Sequence, residues 1–167
     1  MRRPSSNATL LAVVLAAASG LAMAKSSDRN APMNIEANTT TYNANNDSTP
    51  TVLSGNVVIT QGTLRINAAR ADVYQSGGEI RRTVLSGSPV RMSQQMDDGT
   101  PLDTVSAKVD YDMKTETVIL TGGVVITQPR GNLRGERVVY NMKTGQVQSG
   151  GQGGGRVRMT IQPKAGG

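Results

Sequence analysis

The segment Leu53-Ser-Gly-Asn-Val-Val-Ile-Thr-Gln61 returns as Leu120-Thr-Gly-Gly-Val-Val-Ile-Thr-Gln128, with seven of nine letters unchanged. A sequence that repeats itself at a fixed interval is built from stacked supersecondary units, so the repeat decides the architecture before any single residue does. Weaker copies stand at Leu85-Ser-Gly-Ser-Pro-Val-Arg91 and Gln148-Ser-Gly-Gly-Gln152. The four tyrosines, Tyr42, Tyr74, Tyr111 and Tyr140, each precede one of these glycine motifs, and they are all the aromatic residues the chain has. Glycine to glycine, the unit is about 28 to 35 residues long.

Within a unit, short runs rich in Val, Ile and Thr alternate apolar with polar residues and are bounded by Gly, Asn, Asp and Pro, which is the strand pattern. Tyr111-Asp-Met-Lys-Thr-Glu-Thr117 and Tyr140-Asn-Met-Lys-Thr-Gly-Gln146 have turn chemistry, Asp, Asn and Gly supplying local hydrogen bonds or positive φ. The glycine after each Leu-x marks a place where the backbone bends or bulges. Several short strands per unit, over four units, predict an all-β chain of a dozen or more short antiparallel strands, curled into an open twisted jelly roll or solenoid-like sheet. Met33–Asn38 and Arg156–Ile161 read as the end strands, each with one apolar face. Unpaired end strands with regular apolar alternation and no internal proline invite addition of another chain at Met33, Ile35 and Ala37 on one side and Val157, Met159 and Ile161 on the other.

Alternation also selects an inward stripe: Met33, Ile35, Leu53, Val57, Ile59, Leu64, Ile66, Val90, Met92, Val105, Val109, Leu120, Val124, Ile126, Leu133, Val157, Met159 and Ile161. The stripe is slim aliphatics and methionine, without rigid aromatic plugs. Such a wall suits an interior groove that accepts flexible apolar chains, as against an ordinary sandwich core.

The 167 residues include no Cys, His, Trp or Phe. This composition excludes a thiolate nucleophile, a disulfide, a Cys/His zinc site and a Ser-His-Asp triad. The acids Asp97-Asp98-Gly99 read as a hairpin loop, and Asp72, Asp110 and Asp112 are the other carboxylate group to test as an acid/base pair. Asn43–Asp47 lacks the spaced acids of a calcium loop. No cofactor or metal is expected. Residues 1–24 read as a cleaved secretory leader: Arg2 and Arg3, then an apolar Leu10–Ala18, then small residues at Ala22-Met23-Ala24. The expected organisation is a leader over 1–24, a β domain over 25–163 and a disordered tail over 164–167. Loss of Arg2 and Arg3 takes the net charge from +6 to +4. With no aromatic residues interleaved among the basic ones, nucleic acid is a poor partner for that charge and an anionic lipid a better one. Arg81, Arg82, Arg130, Arg134, Arg137, Arg156 and Arg158 are solvated outer-face residues, or in part a rim that holds phosphates.

The leader, the Ile35 strand, the repeated Leu-x-Gly-Asn/Gly-Val-x-Ile-Thr-Gln motif and the Tyr-Asp/Asn-x-Lys-Thr hairpins together resemble the OstA-like family of periplasmic lipopolysaccharide-transport proteins, over essentially the whole chain after the leader. The resemblance implies an open jelly roll that shields lipid A acyl chains. It also implies head-to-tail assembly through edge strands, between an inner-membrane-anchored partner of like fold and the periplasmic domain of an outer-membrane barrel in a Gram-negative envelope. The lipid-lining residues it implies are Ile35, Leu53, Val57, Ile59, Leu64, Ile66, Val90, Met92, Val109, Leu120, Val124, Ile126, Leu133, Val157, Met159 and Ile161. The family's interior is richer in Phe than this chain. The alternative from composition and repeats alone is an extracytoplasmic structural or glycan-binding β-repeat protein.

Overall fold

Hairpin turns between β-branched runs generate one long antiparallel sheet. The computed structural model describes residues 25–46, 48–144, 146–150 and 155–163; the expected leader 1–24, the tail 164–167 and residues 151–154 of the glycine run lie outside them. The strands are β1 (Met33–Glu36), β2 (Thr39–Thr41), β3 (Thr51–Gln61), β4 (Leu64–Ser76), β5 (Glu79–Gln95), β6 (Pro101–Asp112), β7 (Thr117–Gln128), β8 (Gly131–Asn141), β9 (Val147–Ser149) and β10 (Arg158–Ile161). They pair in the order β1-β3-β4-β5-β6-β7-β8-β10, with β2 also on β3 and β9 also on β8, all antiparallel. The first and last strands do not meet, so the sheet is open.

The strands are fewer and longer than the sequence pattern predicts. Leu-x-Gly is the reason: it lies inside a strand as a bulge, and the ladder resumes beyond it. Register breaks occur between Ser54 and Val57, Asn67 and Arg70, Ser86 and Val90, Val105 and Lys108, and Thr121 and Val124. These breaks sit side by side on neighbouring strands, so they form one crease across the sheet. Gly55 and Asn56, at φ of 73° and 48°, and Gly122 and Gly123, at 81° and 57°, take the backbone through it. Pro89 falls in the β5 break, where its missing N–H interrupts no ladder bond. The repeat is therefore a tyrosine strand followed by a Leu-x-Gly strand: β4 with β5 and β6 with β7, each a pair of hydrogen-bonded neighbours.

The crease divides the sheet into two halves. The first carries β1, the C-terminal part of β3 and β10; the second carries β2, the N-terminal part of β3 and β9. Apolar residues from both halves, Leu53, Ala71, Leu85, Leu120 and Val138 on one side and Val57, Ile59, Ile66, Val90 and Val124 on the other, form one buried cluster. Thus the halves face each other over a shared core.

A short 3₁₀ turn, Ser26–Asn30, fastens the start of the described chain to the end of the first half. The Lys25 N–H donates to the Gln95 carbonyl at 3.1 Å, Thr63 Oγ1 donates to the Asp28 carboxylate, and the Gln95 N–H donates to Thr63 Oγ1 at 3.1 Å. Three consecutive strands, β3, β4 and β5, are tied by this segment.

Candidate functional site

Residues directly opposite in an antiparallel pair share a face, so the register traces rows of side chains across the whole sheet. In the second half the inner row is Thr40, Leu53, Ala71, Leu85, Val109, Leu120, Val138 and Ser149. Its six central members are buried, Ala71 and Val138 completely. That row is a closed core. In the first half the corresponding row is Ile35, Ile59, Ile66, Met92, Thr104, Ile126, Leu133 and Met159. Here Ile59 and Ile66 are buried, Met92, Ile126 and Leu133 only partly, and Met159 is 62% exposed. Thr104, the polar member of the row, is buried at 4%, so the wall is apolar on the other seven strands and opens partly at Met92 and again from Ile126 to β10.

Of the residues expected to line a groove, Met92, Ile126 and Leu133, with Leu64, lie against the core with part of their surface accessible. Leu53, Val57, Val90, Val109, Leu120 and Val124 lie in the closed packing together with Ile59 and Ile66. Ile35, at 38% exposure, Val157, Met159 and Ile161, at 72%, stand at the two ends of the sheet, because no further strand covers β1 or β10. Met33 is exposed as well, while Ala37, between β1 and β2, packs against the core. β10 starts at Arg158 and β1 stops at Glu36, so the end strands are shorter than the alternation predicts.

Val105 is a correction. Its cross-strand partners are Arg91 and Val125, and its neighbours Thr104 and Ser106 are the buried ones. The break at residues 106 and 107 reverses the alternation: Thr104 and Ser106 point inward on one side of it and Val109 on the other. Alternation counted straight through a bulge assigns one side wrongly. Ser106 is tolerated inside because its hydroxyl donates to the Lys108 carbonyl at 3.2 Å. Ala68, Ala71, Val73, Leu85, Met96 and Val138 are core residues that the stripe omits; the two alanines carry too little hydrophobicity to register, and Leu85 stands just before the β5 break, where alternation loses its phase.

The carboxylates are engaged structurally. Thr100 donates to Asp98 from its N–H at 2.9 Å and its hydroxyl at 2.6 Å, as a hairpin loop requires. Asp112 accepts from the Thr115 N–H at 2.9 Å, and Asp72 receives Arg70. Arg82 grips Asp110 with Nε at 2.7 Å and a second nitrogen on the other oxygen, and its guanidinium carbon lies 5.7 Å from the Tyr74 ring centre. The Arg82 hydrogen bond, aided by its charge and opposed by partial burial, holds the Asp110 carboxyl below its ordinary 3.8. A lowered carboxylate stabilises the fold above the unfolded pKa, and the stabilisation is lost as pH falls through the folded value. Because the Arg82 side chain is 48% exposed, the pair is worth under about 1 kcal/mol. Arg82→Met is therefore expected to flatten the fall in urea stability between about pH 5 and pH 3, and an unchanged slope would remove Asp110 from the acid response.

Arg134, Arg156 and Arg158 border an open depression of about 340 Å³ on the outer face at the β8–β10 edge. Among the described residues none of the three has an ion-pair partner, whereas Arg70, Arg81 and Arg82 have.

Comparison with known proteins agrees with this architecture. Residues 34–146 match the family model described as LptA/(LptD N-terminal domain) LPS transport protein. The chain is 31% identical over 156 residues to the lipopolysaccharide export system protein LptA of Escherichia coli K12, covering 92% of this chain and 83% of that one. It is 30% identical over 161 residues to LptA of Haemophilus influenzae, covering 95% and 92%. The crystal structure of LptH, the LptA-homologous periplasmic component of the lipopolysaccharide transport device of Pseudomonas aeruginosa, superposes with a TM-score of 0.71 at 23% identity. The match spans 82% of this chain and 99% of that one.

Proposed function

Because the chain belongs to the LptA/LptD N-terminal domain family of lipopolysaccharide transport proteins, we propose that it carries lipopolysaccharide through the periplasm, shielding the lipid A acyl chains on its inner wall. One observation supports this most directly: the first-half row from Ile35 to Met159 is apolar except at the buried Thr104 and is partly open at Met92, Ile126 and Leu133. Acyl chains moving from water onto such a wall gain about 0.8 kcal/mol per buried methylene. The step is transfer without covalent chemistry. Directional drive comes from elsewhere, since the sequence has no phosphate-binding loop with its Lys-Ser/Thr.

In the fuller form of this reading the chain is one segment of a head-to-tail bridge between the two membranes. It follows an inner-membrane-anchored partner of like fold and precedes the periplasmic domain of an outer-membrane barrel. Uncovered β1 and β10 support that arrangement, since an open sheet edge accepts another strand by main-chain hydrogen bonds. The glycan-binding alternative is not favoured: such sites use exposed aromatic rings, and of the four tyrosines only Tyr42, at 69%, is exposed.

A photo-reactive side chain at Ile126 or Leu133 is expected to crosslink to lipopolysaccharide in cells, and one at the neighbouring outward positions Val125 or Arg134 is not. Equal adducts from both faces, or adducts from the outer face alone, would exclude the inner wall as the binding surface.

A further inference from the structure

The eight strands on the main path of the sheet alternate in direction, so β1 and β10 run antiparallel to one another. A second copy stacked on the sheet in the same orientation then continues the antiparallel order without reversal. The inner row ends on Ile35 at one edge and on Met159 at the other. Resting on the head-to-tail reading above, we propose that β10 of one copy pairs with β1 of the next in a single register, Met159 opposite Ile35, locked by an ion pair between Arg158 and Glu36.

Three things select this register. It places Ile161 opposite Met33 and Val157 opposite Ala37, so every inward position of one edge meets an apolar residue of the other. A slip of one residue would turn these faces outward. It places Thr160 opposite Asn34 and Arg158 opposite Glu36 on the outer face. Sliding two residues one way moves Ile161 beyond β1 to Ala31, and two the other way sets Thr160 against Glu36 and removes the charge pair.

The charges argue the same way from inside one protomer. Arg158 lies directly opposite Arg134, with Arg156 beside the same depression. Like charges facing each other across strands repel. The carboxylate at that depression, Glu136, lies within hydrogen-bonding range of the Gly123 N–H, at 3.4 Å, and forms no ion pair among the described residues. At the opposite edge Glu36 is exposed and likewise has no ion-pair partner there. Each edge thus holds an ion of the sign that can pair with the other. Docking extends the Arg134-Arg158 row with Glu36 of the next copy, giving Arg158 a carboxylate on its open side, and it joins the inner rows of two copies into one wall, Leu133 and Met159 running on to Ile35 and Ile59 of the next.

Sedimentation velocity of the full secreted chain tests the ion pair. Glu36→Arg and Arg158→Glu are each expected to weaken self-association about tenfold, and the double exchange to recover it; circular dichroism confirms that each variant keeps its β content. The register is read separately, and cleanly, because the chain contains no cysteine. The pair Ile35→Cys with Met159→Cys is expected to oxidise into intermolecular ladders faster than Met33→Cys with Met159→Cys. Oligomers that crosslink through the second pair, or a double exchange that stays dissociated, overturn the register while leaving the bridge intact. A wild-type chain that stays monomeric at all concentrations overturns both.

Discussion

Leu120→Ala is expected to destabilise the protein by about 2–5 kcal/mol, and Leu133→Ala by less than half as much. Both leucines lie in inner rows of the same sheet, on adjacent strands. Leu120 is 3% exposed, between Val109 and the fully buried Val138, in the half where the row is closed from Leu53 onward. Its truncation leaves a cavity that backbone held by ladders on both sides cannot collapse into, and the lost contacts add to the lost burial. Leu133 lies between Ile126 and the largely exposed Met159, with part of its surface already open. Water or a neighbouring side chain can fill the space it vacates. Urea denaturation of both variants measures the contrast, and lipopolysaccharide crosslinking at Ile126 measures the consequence: the Leu133 variant keeps its fold and loses adduct. A cost below about 1 kcal/mol for Leu120→Ala would mean that the second half is not a packed core, and the division into a structural half and a binding half would fall.

The second large effect is expected at the crease. Gly122 has φ of +81°, and a Cβ built there would stand 2.7 Å from the Ala107 Cβ. Gly122→Val therefore meets two penalties. The left-handed backbone costs an L-residue about 1–2 kcal/mol, and more for a β-branched one; the overlap with Ala107 adds about 1–3 kcal/mol of overpacking. Gly123, at +57°, has nothing within 4 Å of a Cβ, so Gly123→Ala meets the backbone penalty alone. Thermal denaturation is expected to place the Gly122 variant well below the Gly123 variant. Equal shifts would show that the tight approach of β7 to β6 does not matter. Because the crease sets how the two halves face each other, the Gly122 variant should also lose crosslinking at Ile126, about 14 Å along the strand at about 3.4 Å per residue.

How far the sequence carries a reader depends on which kind of physical information a residue holds. The doubled Leu-x-Gly-x-Val-Val-Ile-Thr-Gln motif declares a repeat, and period-two alternation declares strands, because both are local properties of the chain. The inward positions Leu53, Val57, Ile59, Ile66, Val90, Val109, Leu120 and Val124 were legible for the same reason. Val105 was misassigned and Leu85 and Val138 overlooked because a bulge changes which face the next residue takes, and a bulge is defined by the partner strand. The arginines were legible only as charge. That Arg82 is held by Asp110 from 28 positions away, while Arg134, Arg156 and Arg158 gather at an edge without an ion pair among the described residues, is a matter of register.

The sequence by itself determined an all-β repeat with an aliphatic interior and no Cys or His chemistry, since composition and alternation need no knowledge of contacts. The tertiary structure decided that the Leu-x-Gly bulges align into one crease, that one half of the sheet is closed and the other open, and which charges face each terminal strand. Those features arise from alignment of bulges across neighbouring strands and from burial summed over both faces, neither of which exists until the strands have paired.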